Sequence, residues 1–188
     1  MSTALNTTFA DVTAHVVRAL TLYSLAEVQT GHASVIVIEV DGPRFSITDN
    51  GRGHAIDRTV AGVPYMQLVY THLQYPFGAA PGCQIQLQGI GISLINALCS
   101  ELTVVVQKRD CEARLIYHHG YLSSEECVQI EAGSTGNSIS GRVRDELQPL
   151  ATDLPAIEAW LGTIVGSTPG LELHFNGRSL PASTSNAA

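Results

Sequence analysis

The stretch from Ser34 to Gly53 limits the possible folds more than any other part of the chain. Ser34-Val-Ile-Val-Ile-Glu-Val40 is dense in β-branched residues, which favour extended backbone. Asp41-Gly42-Pro43 offers a turn, and Arg44-Phe-Ser-Ile-Thr48 alternates apolar with polar side chains. The two runs predict a hairpin. Its second strand feeds directly into a glycine-rich loop, Asp49-Asn-Gly-Arg-Gly53. A lone hairpin is marginal in water and needs further strands or a helix on its apolar face.

Helical periodicity supplies that cover. In Phe9 to Gln29, Val12, Val16, Ala19, Tyr23 and Glu27 recur at three and four, with Leu20 beside them and Gly31 as a stop. Pro64 to Leu73 reads as a short helix, Ile90 to Ser100 as an apolar helix opening on Gly89 and Gly91, and Pro155 to Val165 as a last one. Strands are predicted at Leu102–Gln107, Ala113–Tyr117, Val128–Glu131, Ser138–Val143 and Leu171–Phe175. Gln74 to Gln88 holds Pro76, Gly78, Pro81 and Gly82, which is loop chemistry. The order of elements argues an α+β two-layer sandwich, a mixed sheet covered on one face by helices. Residues 1–8 are expected to be a flexible N-terminus, 9–178 a single domain, and 179–188 a disordered Ser/Ala-rich tail.

Charge narrows the partners. Ten Lys+Arg against seventeen Asp+Glu give a net charge of −7, and duplex affinity rests on cationic contacts to phosphates, so no direct nucleic-acid partner is expected. Lys108 is the one lysine, so no second lysine is available for a phosphate grip. No apolar run reaches the ~18 residues of a membrane span, and MSTALNTTFAD lacks a cationic segment leading into an apolar one. A cytoplasmic chain without membrane contact is expected. Cys83, Cys99, Cys111 and Cys127 lack CxxC spacing and read as buried free thiols. His118 and His119, adjacent on a strand, would point to opposite faces and share no metal; no metal site or cofactor is expected.

Two segments carry chemistry. Asp49-Asn-Gly-Arg-Gly53 sets a carboxylate at a strand end beside glycines, where it can accept a hydrogen bond from a ligand amine. Gln88-Gly-Ile-Gly-Ile-Ser-Leu-Ile-Asn-Ala-Leu98 is a glycine pair feeding a helix start, where free N–H groups suit an anion. In this order and separation they resemble the GHKL nucleotide-binding (Bergerat-type) fold and, within it, the ATPase domain of DNA gyrase B and topoisomerase IV. Arg114-Leu-Ile-Tyr-His-His-Gly120, Thr135-Gly136-Asn137 and Ile157 to Gly177 are similar to later segments of that family. The resemblance covers about residues 12 to 178.

The resemblance implies roles residue by residue. Asp49 matches the adenine-binding aspartate, with Gly51, Arg52 and Gly53 beside it; Glu27 falls where an acidic residue would pair with Arg52; Arg114 and Thr135 match further pocket positions. His54, Gly89 and Gly91 join the ligand-binding set. The catalytic apparatus departs from the family. Counted back from Gly31-His32, the general-base glutamate falls on Ala19 and the magnesium-binding asparagine on Tyr23; Ile85 and Gln86 replace lid glycines, and the lid lysine has no counterpart. Alanine activates no water, a neutral phenol is a poor Mg²⁺ ligand, and phosphoryl transfer depends on positioned charge. The expected function is a repurposed pocket that binds a small organic metabolite and transforms it by acid–base chemistry through Asp49, Tyr23, Glu27 and Arg52. The alternative is a pseudo-ATPase that holds an adenine nucleotide without turnover. A monomer or weak homodimer is expected.

Overall fold

The computed structural model describes residues 11–71, 91–131, 133–148 and 151–181. Helix α1 (Val12–Gln29) starts on Asp11, whose side chain accepts from Ala14 N–H, and stops at Thr30 and Gly31. The predicted hairpin is β1 (Val35–Asp41) and β2 (Arg44–Asp49). A small ribbon of β3 (Thr59–Val60) and β4 (Val63–Pro64), which the sequence reading missed, precedes α2 (Tyr65–Thr71). Then come α3 (Ile92–Leu98), β5 (Cys99–Gln107), β6 (Cys111–His118), β7 (Tyr121–Gln129), β8 (Gly136–Val143), α4 (Leu154–Ser167), β9 (Glu172–Phe175) and β10 (Arg178–Ser179).

Among the described residues, eight strands form one mixed sheet in the order β10-β9-β1-β2-β8-β5-β6-β7. Only the β1–β9 pairing is parallel. The core follows strand alternation: Ile36 and Ile38, Phe45 and Ile47, Leu102, Val104 and Val106, and Leu115 and Tyr117 are buried on the face that the helices cover. Val16, Val17 and Leu20 of α1 and Ile157 and Leu161 of α4 meet them from above. At ~1.5–3 kcal/mol per fully buried large apolar side chain, this single core holds the two layers together. No helix among the described residues is long and apolar enough to cross a membrane.

Three differences from the sequence reading have physical causes. The apolar helix expected over 90–100 is only Ile92–Leu98, because Cys99 already pairs with Val143 as a strand. The strand expected over Val128–Glu131 is β7, which runs instead over Tyr121–Gln129; it is exposed along nearly its whole length, so no alternation marked residues 121–127. His118 ends β6, and His119, at φ +50°, belongs to the turn into Gly120 rather than to a strand. The cysteine expectation also changes: Cys99 is buried, but Cys111 is half-buried and Cys127 exposed. Cys83, the loop 74–88 with Ile85 and Gln86, Gly89, residues 1–8 and most of the tail lie outside the described residues.

Candidate functional site

The site grows from the last residue of β2. Asp49 is 4% exposed and faces the helix layer. Its carboxylate accepts from Ser24 Oγ of α1 at 2.9 Å, from Gly51 N–H at 2.9 Å, and from Asn137 Nδ2 at 3.3 and 3.4 Å. Asn137 stands directly opposite Asp49 in the β2–β8 ladder. Its other amide atom, Oδ1, accepts from His54 N–H at 2.9 Å. His54 Nδ1 in turn meets Tyr23 Oη at 2.9 Å, and Tyr23 is the residue before Ser24. The result is a closed ring of hydrogen bonds: Ser24, Asp49, Asn137, His54, Tyr23 and back to α1.

His54 is buried, and that burial pushes its pKa down to about 4, so the imidazole is neutral at pH 7. In the tautomer with the proton on Nε2, Tyr23 donates to Nδ1, and Nε2–H faces Tyr70 Oη at 3.5 Å. The rings continue as a stack: Tyr23 to His54 at 5.0 Å, His54 to Tyr70 at 6.2 Å edge-on, Tyr70 to Tyr117 at 5.7 Å. Burial raises the Tyr70 phenol well above its ordinary value; burial and then the Glu125 charge raise that of Tyr117. This stack is aromatic, neutral and largely buried, with Tyr70 and Tyr117 fully enclosed.

The glycine loop is held from two sides. Arg52 grips Glu27 twice, Nε to Oε2 at 3.0 Å and Nη2 to Oε1 at 2.8 Å, and its backbone N–H adds a third bond at 3.2 Å. Those Arg52 hydrogen bonds hold the Glu27 carboxyl below its usual range. Lys108 Nζ, from the turn between β5 and β6, donates to Arg52 O at 2.9 Å and Gly53 O at 2.8 Å. Glycine is required sterically. At Gly51 a methyl group would lie 2.9 Å from Asp49 Oδ1, and at Gly136 it would collide with Asp49 O. Gly53, at φ +71°, would place one 2.8 Å from Gln107 O.

The structure thus gathers Asp49, Tyr23, Gly51, Gly53 and His54 together, with Glu27 and Arg52 bordering them. Other predicted residues stand apart. Arg114 is exposed, bonds Glu112 at 3.3 Å, and by strand alternation lies on the opposite face from Ala113 and Leu115. Thr135 precedes β8, and the contact to Asp49 comes from Asn137, two residues on. Gly91 is the N-cap of α3, with no side-chain hydrogen bond at the cap. His15, on the helix line of Ala19 and Tyr23, is exposed, whereas Ala19 is buried. Ser24 and Asn137 were missed. The available signals were a serine inside an apolar helix and an asparagine at a strand start, but only the β2–β8 register and the seating of α1 over β2 show that both face one carboxylate.

No family model matches the chain. Over 129 residues the chain is 32% identical to the B-type subunit of DNA topoisomerase 4 from Pseudomonas aeruginosa, a match covering 62% of this chain and 20% of that protein. Over 113 residues it is 31% identical to DNA gyrase B of Staphylococcus aureus, covering 57% and 17%. The topoisomerase IV ATP-binding domain of Francisella tularensis, solved with a small-molecule inhibitor, superposes with a TM-score of 0.72 at 18% identity over 86% of this chain and 79% of that one. The fold is that of a GHKL ATPase-like domain. The 43K ATPase domain of Thermus thermophilus gyrase B, solved with an aminocoumarin, agrees at a TM-score of 0.70 and 22% identity, over 88% of this chain and 43% of that one. The matched region is a fifth or less of the length of these curated relatives. Within the GHKL frame, the Asp49 ring lies between the first helix and the sheet.

Proposed function

We propose that this GHKL-fold chain does not hydrolyse ATP, and that the pocket beside Asp49 binds a small organic metabolite and transforms it by acid–base chemistry such as hydrolysis, isomerisation or cyclisation. The observation that carries this reading is the 2.9 Å bond between Tyr23 and a buried, neutral His54. By the resemblance, Tyr23 stands where a magnesium ligand would be, and Ala19, where the water-activating carboxylate would be, offers only a methyl group. A triphosphate with its metal ion needs compensating charge. The two cations that border the glycine loop are engaged, Arg52 with Glu27 and Lys108 with two backbone carbonyls. An uncharged ligand suits a site bordered by the neutral Tyr23–His54 pair better. Asp49, with the Tyr23–His54 pair, would supply the proton-transfer groups. The same reading has the chain acting in the cytoplasm as a monomer or weak homodimer, without a resident cofactor.

Two measurements on the purified chain test this. ATP with Mg²⁺ should show no turnover above a protein-free control; turnover that survives purification and disappears in Asp49→Asn would sink the proposal. A thermal-shift screen should raise the melting temperature with neutral polyketide- or terpenoid-like compounds and leave it unmoved by ATP, with or without Mg²⁺. A ligand at about 100 times its dissociation constant adds about 2.7 kcal/mol. The second reading, adenine-nucleotide binding without turnover, draws on the carboxylate of Asp49 beside Gly51. It predicts a Mg²⁺-independent shift with ADP and adenosine.

A further inference from the structure

Two of the four cysteines lie side by side at the outer edge of the sheet, apart from the Asp49 ring. In the β6–β7 ladder Ala113 pairs with Cys127 and Cys111 with Gln129. Cys111 and Cys127 are therefore diagonal neighbours on one face. Cys127 is exposed and Cys111 half-buried, so small molecules in solution can reach the pair. Cys99 contrasts with both: it is buried in the core, and burial pushes its thiol up to about 12.

We propose that Cys111 and Cys127 form a thiol modification site, at which a low-molecular-weight disulfide of the glutathione class converts them into a reversible cross-strand disulfide. Cys127 as thiolate attacks one sulfur of glutathione disulfide, forming a mixed disulfide and releasing one glutathione thiolate. Cys111 then loses its proton and attacks Cys127 Sγ, releasing the second glutathione thiolate. Two protein thiols are oxidised by two electrons, one glutathione disulfide is reduced to two thiols, and the two protons released by the cysteines balance those taken up by glutathione. Exposure makes Cys127 the attacking thiol. Cys111, raised by partial desolvation and then by the Asp110 charge, is the resolving one.

The geometry permits the bond at small cost. Diagonal Cα atoms in an antiparallel pair lie ~7–8 Å apart, and disulfides span up to ~6.8 Å, so closure needs about 1 Å of movement. Strand β7 can supply it, because among the described residues it is the outermost strand and pairs with β6 alone. The bond would also reach the loop of the candidate site. Lys108 N donates to Cys111 O at 2.8 Å, and the same lysine's Nζ holds Arg52 O and Gly53 O. The proposal itself is independent of what binds beside Asp49.

The full chain, reduced and then equilibrated in mixtures of reduced and oxidised glutathione, tests it by intact mass and non-reducing peptide mapping after acid quench. The expected product has lost two hydrogens, yields one linked peptide joining Cys111 to Cys127, and returns to the starting mass with dithiothreitol. Cys111→Ser should instead accumulate a glutathione adduct on Cys127, with an unchanged circular dichroism spectrum. Wild-type chain that keeps glutathione on Cys127 without forming the linked peptide would overturn the proposal, and so would a linkage that joins other cysteines.

Discussion

Asp49 would be easy to misread as a free carboxylate awaiting a ligand. Each of its oxygens already accepts hydrogen bonds from the protein, so Asp49→Asn must disturb the fold as well as any ligand. An amide NH₂ in place of one oxygen meets the Asn137 donor and either Ser24 Oγ or Gly51 N–H, depending on which oxygen it replaces, and leaving such buried groups unsatisfied costs ~1–3 kcal/mol. Chemical denaturation should show a loss of that order. Ser24→Ala, which removes one donor and adds no conflict, should cost less. His54 gives a pH signature. Folded His54 takes a proton only near pH 4, and the unfolded residue takes it near 6.5. Between those values the unfolded chain binds more protons, so stability falls as the pH falls from about 6.5 towards 4. The full difference is about 3 kcal/mol. Melting temperatures at pH 7 and pH 5 should differ more for wild type than for His54→Asn; equal differences would show that His54 is not the group responsible.

At the level of elements, the site is a meeting of three connections: the loop after β2, the turn between β5 and β6, and the entry to β8. Lys108 ties the first to the second, and Gly136 lets the third pass against Asp49. Lys108→Met removes two backbone-directed hydrogen bonds and keeps the apolar stem. Amide exchange at Gly53 and His54 should quicken, with little change in the amides of β1. Gly136→Ala forces a methyl group into the Asp49 carbonyl, and overpacking of this kind costs ~1–3 kcal/mol or more; its denaturation midpoint should fall well below that of Gly133→Ala, where the nearest atom is 3.6 Å away. These connections also mark how far the sequence was legible. The hairpin, α1 and α4 were visible because alternation and helical periodicity are local signals, and Glu27 with Arg52 followed from the family resemblance. The partnership of Asp49 with Asn137 was not visible, because it depends on the register between strands far apart in the chain. Strand β7 was hidden except at Val128 and Gln129 because, exposed at nearly every position, it carries no burial rhythm.

The whole molecule unfolds as one unit if its layers share one core, and α4 offers the test. Trp160, the one tryptophan, packs on that helix with Arg18 of α1 lying 5.7 Å from its ring centre. α4 leads into β9, which pairs with β1 in the interior of the sheet. Thermal melts followed by Trp160 fluorescence and by far-ultraviolet circular dichroism should therefore coincide. An earlier fluorescence transition would mean that α4 and β9 detach before the remainder.

The parallel pairing of β1 with β9 also sets a timetable for synthesis. Val35–Asp41 leaves the ribosome early, and its partner Glu172–Phe175 is made on the order of ten seconds later. Throughout that interval one edge of a strand reading Val-Ile-Val-Ile is open on the nascent chain. Strands of this composition, unpaired, template association with other chains. Chains stalled or cleaved before residue 172 should accordingly collect in the insoluble fraction, and slowing translation between residues 41 and 172 should make the yield of native protein more dependent on holdase chaperones.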